Sequence, residues 1–151
     1  MNLPSKQHHD YFEAIIQLRD GSEEMEDFSR EELRKAKVNI SKTVQVKNGV
    51  DLYVADARVA KLLGRKLQSK YGGHFLVTAS LFSRKDGRNI YRVTVLFRQA
   101  GFKKGDTVSY KGDTYLVLLM DKKITLRNLA NGQRRMLRYS EIESIKKIVF
   151  V

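Results

Sequence analysis

The segment Asn89–Arg98 (NIYRVTVLFR) carries the strongest strand pattern in the chain. Aromatic and β-branched residues occupy every second position from Tyr91 to Phe97, and Arg92 and Arg98 fall on the other positions. Because successive side chains of a strand point to opposite faces, this period of two predicts a strand with one face turned to a core. The chain is therefore predicted to contain a sheet.

Patterns before this strand complete an α+β unit. Apolar runs with β-branched residues predict further strands at Tyr11–Leu18, Asn39–Val46, Val50–Val54 and His74–Ser83. Asn48-Gly49 separates the second and third of these runs and is typical of a tight hairpin. Together with two helices, the predicted order is βαββαββ, an antiparallel-rich sheet.

The two helices are predicted from their ends and from apolar spacing. The first begins at Ser22, has acidic residues in its first turn and runs to about Ala36. The second spans Asp56–Tyr71, begins with a capping aspartate and stops before Gly72-Gly73. The predicted inward side chains are Met25, Phe28 and Leu33 in the first helix, and Val59, Ala60, Leu63 and Leu67 in the second.

The pattern changes after a short linker, Gln99–Lys104. Only short strand-like runs separated by turn residues follow, at Thr107–Tyr110, Thr114–Met120, Ile124–Asn128, Arg134–Tyr139 and Lys146–Val151. Five such runs predict a small five-stranded β-barrel. The predicted division is a disordered start at residues 1–9, an α+β module at 10–101 and a β-barrel module at 102–151.

Charge is unevenly distributed along the chain. Lys and Arg number 29 and Asp and Glu 17, which gives a net charge of +12 and favours polyanionic partners. Seven acidic residues lie between Asp20 and Glu32. From Lys37 onwards, 24 basic residues stand against 8 acidic ones, a net charge of +16. An acidic first helix is thus followed by a basic remainder.

Several function classes are disfavoured by what the sequence lacks. The absence of cysteine excludes disulfides and thiolate metal sites, and the histidines (His8, His9 and His74) are too few to indicate a metal centre. No catalytic or phosphate-binding glycine motif occurs, nor any apolar run of membrane-spanning length. We therefore predict a cytoplasmic, non-enzymatic protein with no cofactor, metal, membrane or small-molecule substrate.

The second helix is the first candidate RNA-binding surface. It carries no acidic residue after its cap, but five basic ones: Arg58, Lys61, Arg65, Lys66 and Lys70. The first three are spaced i, i+3 and i+7, so they share one stripe on which like charges repel. Phosphates would neutralise that stripe and release counterions. The alternative is a solvated helix face that happens to be basic.

Further cations are predicted to lie in turns. Arg84, Lys85 and Arg88 fall at a hairpin tip, and the pairs Lys122-Lys123 and Arg134-Arg135 fall in the turns and strand ends of the barrel. Arginine binds phosphate oxygens through two parallel hydrogen bonds and also stacks on unpaired bases. Charged strand edges alternatively serve to prevent strand addition.

Five segments together resemble one protein family. They are YFEAIIQLR (Tyr11–Arg19), KNGVDLYV (Lys47–Val54), KLLGRKLQSKYGG (Lys61–Gly73), ASLFSRKDGRNIYRVTVLFR (Ala79–Arg98) and KKGDTV (Lys103–Val108). In order and spacing they resemble the large-ribosomal-subunit export adaptors, a family historically named after nonsense-mediated mRNA decay. The resemblance implies a ribosomal-protein-like module followed by a module similar to the first barrel of the hypusine-containing translation factor, bound near the tRNA exit site.

The chain departs from that family in three ways. It has no Cys-x-x-Cys zinc ribbon, no second, oligonucleotide-binding-type barrel and no leucine-rich export signal. It is therefore expected to be a short archaeal-type member or a fragment. Neither Lys111 nor Lys122 is assigned as a counterpart of the hypusine-bearing lysine.

Three interpretations of function remain open at this point. The leading one is a factor that binds the large ribosomal subunit during maturation through rRNA phosphates, with some contacts to ribosomal proteins. The second is a translation-factor-like module that contacts tRNA or the ribosomal exit site. The third is a protein-interaction module whose acidic first helix grips a basic ribosomal protein.

Overall fold

The structure is a computed structural model that describes residues 9–150, apart from the side chain of Lys85. Its helices are α1 (Glu23–Lys35), α2 (Ala57–Tyr71) and a 3₁₀-helix at Tyr139–Ser144. Its strands are β1 (Ala14–Arg19), β2 (Ile40–Val46), β3 (Gly49–Val54), β4 (Gly73–Lys85), β5 (Arg88–Gln99), β6 (Thr107–Tyr110), β7 (Asp113–Met120), β8 (Ile124–Asn128), β9 (Arg134–Leu137) and β10 (Ile145–Lys147). Residues 1–8 of the predicted disordered start lie outside the described residues.

The first five strands form one sheet in the order β2-β3-β1-β5-β4. Neighbouring strands are antiparallel except for β1 and β5, which pair in parallel. The α+β class, the order βαββαββ and the antiparallel-rich sheet are confirmed.

Both helices pack on the same face of this sheet. Alternate residues of β1 and β5, among them Ile16, Leu18 and Phe97, form one buried cluster with Leu33 of α1 and Leu67 of α2. The predicted caps are confirmed, since the side chain of Ser22 accepts a hydrogen bond from Met25 N and that of Asp56 from Val59 N. The opposite face of the sheet has no covering helix among the described residues.

The predicted Asn48-Gly49 hairpin forms one residue earlier than expected. Val46 pairs with Gly49, so the loop residues are Lys47 and Asn48, and Asn48 adopts the left-handed conformation with φ 70°. A Cβ atom on Gly49 would lie 1.9 Å from the carbonyl oxygen of Leu18. This glycine is thus needed for close approach to β1 and not for the turn.

The last five strands form a second sheet, in the order β10-β6-β7-β8-β9. No pairing within the described residues joins β9 to β10, so the predicted closed barrel is not confirmed. The predicted strand Arg134–Tyr139 ends at Leu137, and the 3₁₀-helix follows it. Tyr139 and Ile142 are both buried, and this spacing of three places them on one face of a 3₁₀-helix and not of a strand.

The two sheets meet where α2 ends. Gly72, at φ 76°, accepts a hydrogen bond on its carbonyl from Ala100 N (3.1 Å), and the side chain of Met120 from the second sheet lies against it. Ala100 and Phe102 belong to the second of two separate buried clusters. The division into domains 10–101 and 102–151 remains a prediction.

Candidate nucleic-acid interface

Helix α2 lies close against the sheet because a glycine faces it. Gly64 is buried with Ala60, Leu63 and Leu67, and a Cβ atom at this position would lie 2.4 Å from Cε1 of Phe75. This packing determines which sides of α2 are available to bind a ligand. One flank of the helix lies beside α1, and the other lies away from it.

Two of the five predicted α2 cations are turned towards α1 and have partners there. Lys66 forms an ion pair with Glu32, and this hydrogen bond lowers the pKa of the Glu32 carboxyl. The Nζ atom of Lys70 lies 5.0 Å from the centroid of the Phe28 ring and 5.6 Å from that of Tyr71. These two lysines therefore contribute to the packing of the helices.

The other three α2 cations lie on the flank that faces away from α1. Arg58 and Arg65 are exposed and Lys61 is half-buried. Among residues 9–150, no carboxylate lies within ion-pair distance of any of them. The predicted stripe at i, i+3 and i+7 thus exists as a row of positive charge that forms no ion pair within these residues.

Most of the acidic residues near α1 are already paired within the chain. Asp20 binds Arg98, Glu26 lies 3.9 Å from Arg30, Glu31 binds Arg34 and Glu32 binds Lys66. The Arg34 hydrogen bond lowers the pKa of Glu31. The acidic face is consequently less available to an external cation than the sequence alone suggests.

The hairpin tip between β4 and β5 is short and basic. Its two loop residues, Asp86 and Gly87, both have positive φ (52° and 76°), and Lys85 pairs with Arg88 across them. Arg84 and Arg88 are exposed and form no ion pair among the described residues. The side chain of Lys85 lies outside what the structure describes.

Two arginines further along β5 serve the fold. The guanidinium carbon of Arg92 lies 3.6 Å from the centroid of the Phe12 ring and 3.3 Å from that of Phe82, and burial lowers the pKa of this guanidinium. Arg98 binds Asp20 at 2.7 Å and Glu143 at 3.2 Å. Both guanidinium groups therefore already have contacts within the chain, and neither is added to the candidate interface.

Comparison with known proteins identifies the first sheet and its helices. Residues 11–98 match the family model described as NMD3, second domain. The chain belongs to the NMD3 family. This family is one of ribosome-associated adaptors and is associated with the large ribosomal subunit. No curated protein matches the chain significantly.

The NMD3 match ends at Arg98, so the predicted cations of the second sheet lie outside it. Lys122 and Lys123 are exposed in the turn between β7 and β8, and Arg134 is exposed at the start of β9. Arg135 is exposed as well, but its guanidinium lies 5.1 Å from the ring of Tyr110. Because Arg127 pairs with Arg134 and Ile124 with Leu137, the two basic pairs lie at opposite ends of β8.

The fold also brings together cations from the two sheets. Arg65 of α2 and Lys122 line the same open cavity of about 190 Å³, together with Asp121. A second open groove, of about 400 Å³, is lined by Lys70, Lys103 and Lys147. Sequence reasoning did not identify this groove, because its lysines are far apart in the chain and no local pattern links them.

The described residues contain neither a metal cluster nor a membrane helix. No three His, Asp or Glu side chains between residues 9 and 150 are close enough together to hold a metal ion. Over the same range, no helix is long and apolar enough to cross a membrane.

Proposed function

We propose that this NMD3-family chain binds the large ribosomal subunit during its maturation, through phosphates of the ribosomal RNA. The α2 stripe (Arg58, Lys61 and Arg65) and the hairpin tip (Arg84 and Arg88) supply the cations, and Lys122, Lys123 and Arg134 extend the contact from the second sheet. In eukaryotic relatives, the same attachment would serve export of the subunit. We place the action of this chain in the cytoplasm.

The observation that carries this proposal is the division of charge on α2. Lys66 and Lys70 have partners on α1, whereas the α2 stripe has no acidic partner within residues 9–150. Like charges at i, i+3 and i+7 destabilise a helix slightly. An RNA backbone would remove this repulsion and release its condensed counterions on binding.

The alternative of a protein-gripping α1 has less support. Glu26, Glu31 and Glu32 already pair with cations of the chain, so a basic partner would have to displace them. Such exchanges between exposed ion pairs gain little free energy. The translation-factor alternative depends on the second sheet, where Lys122 and Lys123 would be its contacts.

Co-sedimentation with purified large subunits, small subunits and whole ribosomes tests the proposal. We expect retention on large subunits at low salt, with a loss of roughly a thousandfold in affinity at moderate salt if six or more phosphates are bound. Replacing Arg58, Lys61 and Arg65 together by glutamate should abolish retention. Equal retention on all particles would contradict the proposal and indicate a generic polycation.

A further inference from the structure

The β4–β5 hairpin extends well beyond the rest of its sheet. The two strands pair from Gly73 and Gln99 to Lys85 and Arg88, but β1 pairs with β5 only from Val93 to Arg98. Residues 80–92 therefore form a two-stranded ribbon, and we call this segment the ribbon. An isolated two-stranded ribbon is only marginally stable in water.

The ribbon exposes large apolar side chains close to its basic tip. The exposed fractions are 56% for Leu81, 41% for Phe82 and 55% for Tyr91. Exposed apolar groups clustered on a projecting element indicate a binding surface. The ribbon also carries four basic residues, namely Arg84, Lys85, Arg88 and Arg92, against the single acid Asp86.

A bulge sets the position of Phe82. The pairing register shifts between Leu81 and Ser83, so Phe82 is the extra residue of β4. Bulges of this kind redirect a side chain. The ring of Phe82 lies 3.3 Å from the guanidinium carbon of Arg92, which is itself held against Phe12. Arg92 thus covers one face of the Phe82 ring, while the residue as a whole remains 41% exposed.

Tyr91 supplies an aromatic ring on the other side of the ribbon. It neighbours Arg92 in β5, so the two side chains point to opposite faces. Its hydroxyl accepts a hydrogen bond from Nδ2 of Asn89 at 3.4 Å, and the ring remains more than half exposed. The ribbon therefore presents one accessible aromatic ring on each face.

We propose that the ribbon binds unpaired nucleotides of a structured RNA, with bases stacked on Phe82 and Tyr91 and the adjoining phosphates bound by Arg84 and Arg88. This inference rests on the proposed function and specifies the RNA chemistry that one surface recognises. Aromatic rings beside cations are the standard composition of surfaces that bind single strands. A basic ribosomal protein would be repelled by the charge of the ribbon, which favours RNA as the occupant.

A tryptophan reporter tests stacking directly. The chain contains no tryptophan, so Phe82→Trp introduces a single indole whose fluorescence is quenched when a base stacks on it. The probes are a stem-loop RNA with an unpaired loop and a fully paired duplex of the same length. We expect quenching by the stem-loop, little quenching by the duplex, and loss of quenching at high salt. Equal quenching by both RNAs, or by neither, would overturn the proposal.

Leucine substitutions separate stacking from simple hydrophobic contact. Tyr91→Leu keeps an apolar side chain and disturbs no ring contact of the described residues, so it should leave the fold intact. We expect roughly tenfold weaker binding of the stem-loop RNA for Tyr91→Leu or Phe82→Leu, with an unchanged salt dependence. Arg84→Gln with Arg88→Gln should instead reduce the salt dependence. Unchanged RNA affinity in both leucine variants would refute the inference.

The same reagents distinguish this inference from the proposed function. Reversal of charge on the α2 stripe should abolish large-subunit binding but leave the loop-specific quenching of Phe82→Trp in place. Quenching without any large-subunit binding by the unmodified chain would refute the proposed function alone. Large-subunit binding without loop-specific quenching would refute the ribbon inference alone.

Discussion

The Nε atom of Arg98 lies 3.2 Å from Oε1 of Glu143, which connects the end of β5 to the 3₁₀-helix of the second sheet. The same guanidinium binds Asp20 through Nη1 at 2.7 Å. Arg98 is 24% exposed in its side chain, whereas Glu143 is 68% exposed. One arginine therefore joins the turn before α1, the last strand of the first sheet and the second sheet.

Removing the charge of Glu143 should weaken this connection modestly. Because the pair is partly exposed, Glu143→Gln is expected to lower the free energy of unfolding by no more than about 1 kcal/mol. Arg98→Met should lower the free energy of unfolding further, since Asp20 also loses its partner. Urea denaturation measures both, with Asp113→Asn, an exposed acid outside any ion pair of the described residues, as the control. An unchanged stability of Arg98→Met would contradict the structural role given to Arg98.

Gly64→Ala should destabilise the protein, although alanine favours helices. At an exposed helix position, this change would stabilise by about 1 kcal/mol. Here the new methyl group would meet Phe75 and Val95, so we expect a net loss of roughly 1 kcal/mol or more from overpacking. Thermal and urea unfolding measure the sign. Ser69→Ala, on the exposed part of the same helix, is the matched control and should be neutral or slightly stabilising. A stabilised Gly64→Ala would contradict the packing described here.

The Glu32–Lys66 pair should make stability depend on pH in the acid range. The pKa of Glu32 is lower in the folded chain than its ordinary value, so its contribution is present above the ordinary pKa and is lost as the pH falls through the folded pKa. We expect the acid-induced loss of stability to be smaller in Glu32→Gln than in the unmodified chain. Unfolding free energies measured at several pH values between neutral and strongly acidic provide the test. Identical pH profiles would show that the ion pair contributes nothing to the free energy of unfolding.

Tyr11 should make the stability of the folded chain fall as the pH rises in the alkaline range. Burial, together with the hydrogen bond that its hydroxyl donates to Glu13, raises the pKa of Tyr11 to about 12. Its contribution to the free energy of unfolding is therefore present below the ordinary pKa of 10.0 and is lost as the pH rises through about 12. Titration of tyrosinate absorbance should show a late-ionising group that is missing in Tyr11→Phe. Because burial also raises the pKa of Tyr71 and Tyr139, the difference between the two titrations is the measured quantity.

The order of elements could be predicted because local signals agree with the tertiary structure. Ser22 and Asp56 cap their helices as their positions indicated, and the alternation in Asn89–Arg98 became a strand with Val95 and Phe97 buried. The predicted barrel is not confirmed, because β9 and β10 do not pair among the described residues. The spacing of Tyr139 and Ile142 indicates a 3₁₀-turn, but the preceding run of strand residues obscured it.

The candidate site was only partly accessible to sequence reasoning. Sequence spacing identified the α2 stripe. It could not show that Lys66 and Lys70 contact side chains of α1, since those contacts depend on how the helices pack. The position of Arg92 between the rings of Phe12 and Phe82 likewise depends on tertiary packing, and the strand pattern does not reveal it. The exposure of Phe82 and Tyr91 follows from the length of the ribbon relative to β1, which no local pattern encodes.

The most direct test of the central claim compares two lysines on one helix. Lys61→Gln and Lys66→Gln remove the same charge from α2, but only Lys66 is paired with a carboxylate in the folded chain. The measurement is the affinity for purified large ribosomal subunits over a range of salt concentrations. We predict that Lys61→Gln weakens binding and lowers the salt slope by about one unit, while Lys66→Gln leaves the slope unchanged. Equal effects of the two substitutions would contradict the claim that the α2 stripe contacts RNA phosphates.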